Sequence, residues 1–285
     1  MTLPDASLID AVVRHALEED GAFRDVTTQA LVPPDLRGAG IFLAKSEGVI
    51  AGLPVAAAAF TALDPTNQVR SNIEDGARVE AGAEFAMVEG PLASILSAER
   101  VALNLLQRLS GTATLTRALT DAVAGLPVRV VDTRKTTPGL RALERYAVRL
   151  GGGHNHRFNL SDGVLIKDNH IAAAADRGLD IVDVIRAARA AVPHTLNIEI
   201  EVTSYEEAEQ ALAGGAEIIL LDNMDVPEMA RVVAMIDGRA RTEASGGITL
   251  ANVRAIAETG VDLISSGALT HSVAALDISL NIETM

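Results

Sequence analysis

From residue 128 onward the chain alternates, six times over, between a short β-branched run and a helical stretch. That alternation restricts the fold more than any other feature. The runs are Val128-Arg-Val-Val131, Val164-Leu-Ile166, Asn197-Ile-Glu-Ile-Glu-Val202, Glu217-Ile-Ile-Leu-Leu221, Arg241-Thr-Glu-Ala244 and Asp262-Leu-Ile-Ser265. Helical spacing follows over 139–149, 180–191, 204–213, 225–236 and 249–259, with a short helix after the last run. Short apolar strands separated by helices mark parallel βα units of an α/β fold. No Gly-x-Gly-x-x-Gly follows the first run, so a dinucleotide-binding sheet is unsupported. A β/α barrel is expected, though its closure cannot be read from sequence.

The first part of the chain has a different rhythm. Residues 7–20 carry Leu8, Ile9, Val12, Val13, Ala16 and Leu17 at helical spacing, with Ser7 as the expected N-cap. Asp25-Val-Thr-Thr28 reads as the opening of a loop, and Pro33-Pro34 forbids helix. Residues 39–45 read as strand, and 48–60 as strand passing into helix. The D-G and A-G turns within 69–90 predict compact hairpins resembling a lipoyl or biotinyl carrier sheet. Those turns hold no lysine to carry a cofactor, so the reading is structural. The longest helical pattern, 94–124, places Val101, Leu105, Leu109 and Ala113 on one stripe. Gly111 is expected to break or bend it.

Charge locates the chemistry. The chain carries a formal −14, yet residues 132–171 hold seven Lys or Arg against four Asp or Glu. Two of the three lysines and three of the six histidines lie there. Such a concentration attracts a small anionic ligand. Overall acidity with 2% aromatic residues argues against nucleic acid. The absence of cysteine excludes a thiolate nucleophile and Cys-based metal sites. Met1 to Asp10 lacks a basic stretch followed by an apolar run, and the apolar segments are too short to span a bilayer. A soluble, cytoplasmic protein with no membrane partner is expected.

In a β/α barrel, functional groups collect at the C-terminal ends of the strands. Here the six ends supply Arg134 and Lys135, then Lys167, Asp168 and Asn169, then Glu201, then Asp222 and Asn223, then Ser245-Gly-Gly247, then Ser265, Ser266 and Gly267. A lone Asp ending a strand is as often a helix cap as a ligand; six reactive ends in succession point to one shared site. Ser245-Gly246-Gly247 and Ser266-Gly267-Ala268 precede helices, a pattern that suits a phosphate. Glu201 and Asp222 could ligate Mg²⁺ or hold sugar hydroxyls. Cations for carboxylate and phosphate, acids for ribose or metal, and glycine loops for phosphate fit a phosphorylated sugar meeting a small carboxylic acid.

These motifs resemble the quinolinate phosphoribosyltransferase family. The matching pieces are Asp132-Thr-Arg-Lys-Thr-Thr-Pro-Gly-Leu-Arg141, Tyr146-Ala-Val, Gly151-Gly-Gly-His-Asn-His-Arg157, Leu165-Ile-Lys-Asp-Asn-His170, Leu221-Asp-Asn-Met224, Glu243-Ala-Ser-Gly-Gly-Ile248, Gly267-Ala-Leu-Thr-His-Ser272 and Glu99-Arg-Val-Ala-Leu-Asn104. The resemblance covers almost the whole chain. One departure is Asn159, where the family pattern favours Gly, a change that bears on loop shape. The resemblance implies an N-terminal α/β sandwich over 1–110, with 271–285 packing back on it, joined to an open, incomplete α/β barrel over 111–270. It implies at least a homodimer, in which Arg100 reaches the neighbouring site. The implied reaction joins quinolinate to phosphoribosyl pyrophosphate with Mg²⁺, giving nicotinate mononucleotide, pyrophosphate and CO₂, a step of NAD biosynthesis.

Carried over, Arg134, Lys135, His156 and Arg157 hold quinolinate's two carboxylates, and Thr133 is a further substrate-binding residue; Lys167 faces the donor or the acid; Glu201 and Asp222 bind ribose hydroxyls or Mg²⁺. Ser245, Gly246, Gly247, Ser266, Gly267 and Ala268 cradle the 5′-phosphate. Lys135, Lys167, Glu201 and Asp222 are the expected catalytic set. Three other readings stand beside this one. A Schiff-base aldolase would use Lys167 but leave the arginine cluster unexplained. A molybdenum-associated paralogue shares the fold, and a non-catalytic anion-binding protein would bind ligand without turnover.

Overall fold

Three of the five phenylalanines meet in one place, and the first sheet is built around them. Phe42 and Phe60 pack edge to face with ring centroids 6.1 Å apart, and Phe85 lies 5.9 Å from Phe42. All three are fully buried. Phe42 and Phe85 come from the strands β1 (Arg37–Ala44) and β5 (Glu84–Pro91), and Phe60 from the helix Leu53–Leu63. A core otherwise made of Ala, Val, Leu and Ile thus concentrates its few aromatics where each removes most surface from water. Between these two strands run β2 (Gly48–Val49), β3 (Gln68–Ser71) and β4 (Arg78–Val79). The sheet has the order β12-β1-β5-β3, with β12 the C-terminal strand Ile278–Thr284; β2 pairs separately with β4.

The protein is described by a computed structural model over residues 2–284. It divides into two units: 1–117 with 136–152 and 269–285, and 118–135 with 153–268. Residues 136–152, inside the range expected for the barrel, group with the first unit. Two polar networks account for this. Tyr146 Oη donates to Asp75 Oδ2 at 2.8 Å, while Asp75 accepts from the backbone of Gly52 and Leu53. The fully buried Glu144 accepts from Arg108 Nη2 at 2.9 Å and from Thr137 Oγ1 at 2.7 Å. Removing one member of such a network leaves a buried polar group unsatisfied.

In the second unit six parallel strands form an open sheet: β6 (Arg129–Val131), β7 (Val164–Ile166), β8 (Ile198–Val202), β9 (Ile218–Asp222), β10 (Arg241–Ser245) and β11 (Leu263–Ser265). Their order is β6-β11-β10-β9-β8-β7, so the chain's first two strands of this unit lie at opposite edges and the barrel is incomplete. One face is apolar and buried, with Val130, Ile166, Ile198, Ile200, Ile219, Leu221, Ala244 and Ile264; the helix Tyr205–Gly214 packs on β8 and β9. Period-two alternation puts Val131, Leu165, Glu199, Glu201, Leu220, Asp222, Glu243, Ser245 and Ser265 on the other face. Among the described residues no helix is long and apolar enough to cross a membrane.

Several local expectations are corrected. The first helix, Ala6–Asp20, is capped by Asp5 rather than Ser7, whose own N–H donates to Asp5 Oδ1 at 2.8 Å. The segment after Asp25 is not a loop but the helix Val26–Leu31, capped by Asp25 through the N–H groups of Thr27 and Thr28 at 3.1 and 3.0 Å. The β-branched Thr pair lowers helix propensity and hides it. The helix Asp168–Ala175 follows β7 directly and has no counterpart in the sequence reading.

Gly111 does not break the long helix, which runs unbroken over Leu92–Ala122. Its role is close approach: a Cβ there would lie 2.1 Å from the carbonyl oxygen of Ala274. Alanine is the better helix former by about 1 kcal/mol, but overpacking of this severity costs roughly 1–3 kcal/mol or more. Gly111→Ala is therefore expected to lower the unfolding midpoint in urea or heat. A raised midpoint would show that the Ala274 segment yields freely.

Candidate active site

The polar face of the open sheet floors a cavity of about 580 Å³, all of whose lining residues belong to the second unit. Strand ends deliver them. Thr133, Arg134 and Lys135 follow β6; Lys167 follows β7; Glu201, Asp222 and Ser245 lie at the ends of β8, β9 and β10. His156 and Arg157 come from the loop after the bridge between Val131 and His154.

Buried Asp132 fixes that loop rather than facing the cavity. Its Oδ1 accepts from His156 N at 2.8 Å and its Oδ2 from Asn155 Nδ2 at 2.6 Å. Arg157 Nη1 donates to Gly163 O at 2.8 Å. Burial lowers the Arg157 pKa, the positive charge of Arg134 lowers it further, and Glu199 opposes both. Arg134 Nε is buried without a hydrogen-bond partner among the described residues. Two mutually repelling guanidiniums, one with an unsatisfied donor, make a site that gains from an anion with more than one charge. Asn159 has an ordinary negative φ and accepts from Ser161 N at 2.9 Å, so the loop does not require glycine there.

His156 sits between the cavity and two buried carboxylates. Its Nε2 is 3.1 Å from Glu199 Oε2 and 3.6 Å from Glu243 Oε1. Burial acts to lower its pKa, but the hydrogen bond and charge of Glu199 and the charge of Glu243 prevail and raise it. Its Nδ1 accepts from Arg157 N at 2.7 Å, which favours the form carrying its proton on Nε2. Glu243 is pushed up to about 7, first by burial and then by the charge of Glu199.

Nearer the mouth, Lys167 is ion-paired with Glu201. Asp222 Oδ2 accepts from Asn223 Nδ2 at 2.9 Å. The loop Ser245-Gly246-Gly247 carries two consecutive left-handed residues, Gly246 at φ +93° and Gly247 at φ +61°. Asn252 Nδ2 ties it by donating to Gly247 O at 2.9 Å. The helix after it is only Val253–Ala257, shorter than the 249–259 expected, so the glycine backbone rather than a helix dipole is what this loop offers an anion.

Of the residues expected at the site, Thr133, Arg134, Lys135, His156, Arg157, Lys167, Glu201, Asp222, Ser245, Gly246 and Gly247 surround this one cavity. Ser266, Gly267 and Ala268 do not line it; Ser266 is buried and its N–H donates to Val131 O at 3.1 Å, while Ser265 takes the cavity position. Arg100 is exposed on the long helix of the first unit. Sequence reasoning missed Glu243, which lines the cavity, and assigned no role to Glu199. The signal was strand alternation: Glu243 lies two residues before Ser245, and Glu199 two before Glu201.

Two groups of acids could hold a cation. His156, Glu199 and Glu243 place one ligand atom each within 4.8 Å of one another. The two carboxylates are buried and a nitrogen is among the ligand atoms, a poor match for Mg²⁺, which keeps several waters and prefers oxygen. Glu201, which is ion-paired with Lys167, and Asp222 stand at neighbouring strand ends on the cavity and offer only oxygen, and fit that ion better.

Residues 25–110 match the family model of the quinolinate phosphoribosyl transferase N-terminal domain, and residues 112–281 that of its C-terminal domain. The chain is 47% identical to a probable carboxylating nicotinate-nucleotide pyrophosphorylase of Synechocystis, covering 98% of this chain and 94% of that protein. It is 44% identical to the corresponding protein of Bacillus subtilis, covering 95% and 92%. The crystal structure of NadC from Streptococcus pyogenes superposes with a TM-score of 0.94 at 40% identity over the full length of both chains. A chain that carries both domains of one family, in order and along nearly its whole length, belongs to it: this protein is a member of the quinolinate phosphoribosyltransferase family.

Proposed function

We propose that the protein transfers phosphoribosyl from phosphoribosyl pyrophosphate to the nitrogen of quinolinate with loss of CO₂, giving nicotinate mononucleotide and pyrophosphate for NAD biosynthesis. The observation that carries this is the pair of guanidiniums, Arg134 and Arg157, brought together in one cavity. A dicarboxylate satisfies both; arginine binds carboxylates bidentately, as lysine cannot. Thr133 and Lys135 lie beside them on the acid side. The 5′-phosphate is assigned to Ser245, Gly246 and Gly247. Lys167, Glu201 and Asp222 face the sugar. His156, expected to hold a carboxylate, has both ring nitrogens engaged within the protein, so it supports Arg157 instead.

Glu201 and Asp222 would hold Mg²⁺, which when bound supplies charge to the pyrophosphate. The chain's own part is positioning and electrostatics. The arginines hold the acid with its nitrogen towards the sugar carbon. The nitrogen forms the new bond as pyrophosphate departs with the old bonding pair. The ring, now cationic, accepts the electron pair of the adjacent carboxylate as CO₂ leaves, and a proton takes the vacated carbon. Glu201 and Asp222 stabilise the positive charge that develops on the sugar. The Lys167–Glu201 ion pair gives no support to a Schiff-base lysine, which needs a neutral amine. We further assign a cytoplasmic location and a homodimer in which exposed Arg100 enters the partner's site.

Pure protein mixed with quinolinate, phosphoribosyl pyrophosphate and Mg²⁺ should release nicotinate mononucleotide and CO₂, with nicotinate inactive in parallel. Product from nicotinate would show a different acid specificity, and no product from either would favour the paralogue or the binding protein. Arg134→Ala and Arg157→Ala should each raise the quinolinate KM by about 10- to 100-fold, the loss of a charged hydrogen-bonded contact; near-normal saturation would contradict their role. In Gly246→Ala the new Cβ would lie 2.2 Å from Asn223 Oδ1 at a left-handed φ, so the KM for phosphoribosyl pyrophosphate should rise while acid binding persists. At quinolinate concentrations well below the raised KM of the variants, mixing Arg100→Ala with Arg134→Ala should restore activity above that of either alone through one intact shared site; mixtures no more active than the separate variants would place Arg100 outside the neighbour's site.

A further inference from the structure

The inner face of the sheet carries two acids that the reaction does not use. Glu199 on β8 and Glu243 on β10 are 4% and 1% exposed. Burying a carboxylate costs several kcal/mol unless it is paired. Both converge on a single ring nitrogen, His156 Nε2, at 3.1 and 3.6 Å. The other ring nitrogen accepts the N–H of Arg157 at 2.7 Å. On the other side, His156 N donates to Asp132 Oδ1 at 2.8 Å. The peptides on either side of His156 are therefore tied: the one before it to Asp132 at the end of β6, the one after it through the imidazole to Glu199 on β8, with Glu243 on β10 in charge contact.

We propose that Glu199 and Glu243 are positioning residues of the acid-binding centre, acting through His156 to fix the backbone from which Arg157 extends. The proposal rests on the assignment of Arg157 to the substrate acid. Glu199 does not line the cavity, and Glu243 borders it beside His156. Their carboxylates hold the imidazole with its proton on Nε2, which frees Nδ1 to accept the Arg157 amide. Together they set where the guanidinium starts. Small displacements of such a group are costly to binding, because a fork of two hydrogen bonds tolerates little misplacement.

The test pairs a near-isosteric variant without an acceptor, Glu199→Met, with one that keeps the acceptor, Glu199→Gln. Glu199→Met should raise the quinolinate KM about 10- to 100-fold, with kcat and the KM for phosphoribosyl pyrophosphate within about threefold of wild type, and Glu199→Gln should restore the quinolinate KM to within about threefold. Combined with Arg157→Ala, Glu199→Met should add little, because both act through one group. An unchanged quinolinate KM, a parallel loss in all three parameters, or effects that multiply with Arg157→Ala would each overturn the proposal. So would stoichiometric zinc or manganese in the purified protein that disappears in Glu199→Met, which would make the cluster a metal site. Should that variant fail to fold, nitrogen-15 spectra of histidine-labelled wild-type protein decide the matter: the proposal requires His156 protonated on Nε2 with Nδ1 accepting, and a proton on Nδ1 would sink it. A wild type that binds and turns over no quinolinate would overturn the proposed function, and the ring spectrum would still decide the positioning role.

Discussion

Two guanidinium groups beside one another in a half-buried cavity repel, and much of the second unit serves to make that repulsion tolerable. Burial and then the charge of Arg134 lower the Arg157 pKa, and Glu199 works in the opposite direction. Lys167 is matched by Glu201. The acids are not scattered: they stand on alternate positions of neighbouring strands, so the same pleat that builds the sheet distributes negative charge beneath the positive rim. A bound dianion would complete a charge pattern that the protein alone leaves partly unbalanced.

The dependence on register is severe. Glu199, Glu201, Asp222, Glu243 and Ser245 share one face only because β8, β9 and β10 pair in the observed alignment. A slip of one residue would send every one of them into the apolar layer beside the helices and expose Ile200, Leu221 and Ala244 to the cavity. The buried apolar face therefore does more than stabilise the sheet. It holds the polar constellation in place, because a one-residue slip would take Ile198, Ile200, Ile219 and Leu221 out of the buried layer.

How much of this could be read in advance varied with the physics. Strands were legible because Val and Ile cluster in short runs, and the cavity's rim was legible because reactive residues ended those runs. The helix Val26–Leu31 was hidden by Thr27 and Thr28, whose poor propensity is overridden by the Asp25 cap. Gly111 looked like a breaker because propensity is local, whereas its reason lies at Ala274, far along the chain. Glu243 was missed because an acid in a strand looks the same in sequence whether it meets water or a buried imidazole. Ser266 was placed at the site by adjacency, yet its N–H closes on Val131 O and leaves Ser265 at the cavity.

The first sheet contains a long-range obligation. β1 pairs with β12 from Gly38 with Thr284 to Ala44 with Ile278, so its partner is the last strand of the chain. During synthesis on the ribosome, β1, β3 and β5 emerge early with one flank of β1 bare, and an unpaired flank is a template for wrong partners. The whole second unit must be translated before the correct strand arrives. The apparently N-terminal unit is thus the last to be completed, and a nascent chain truncated anywhere before β12 exposes the same adhesive edge.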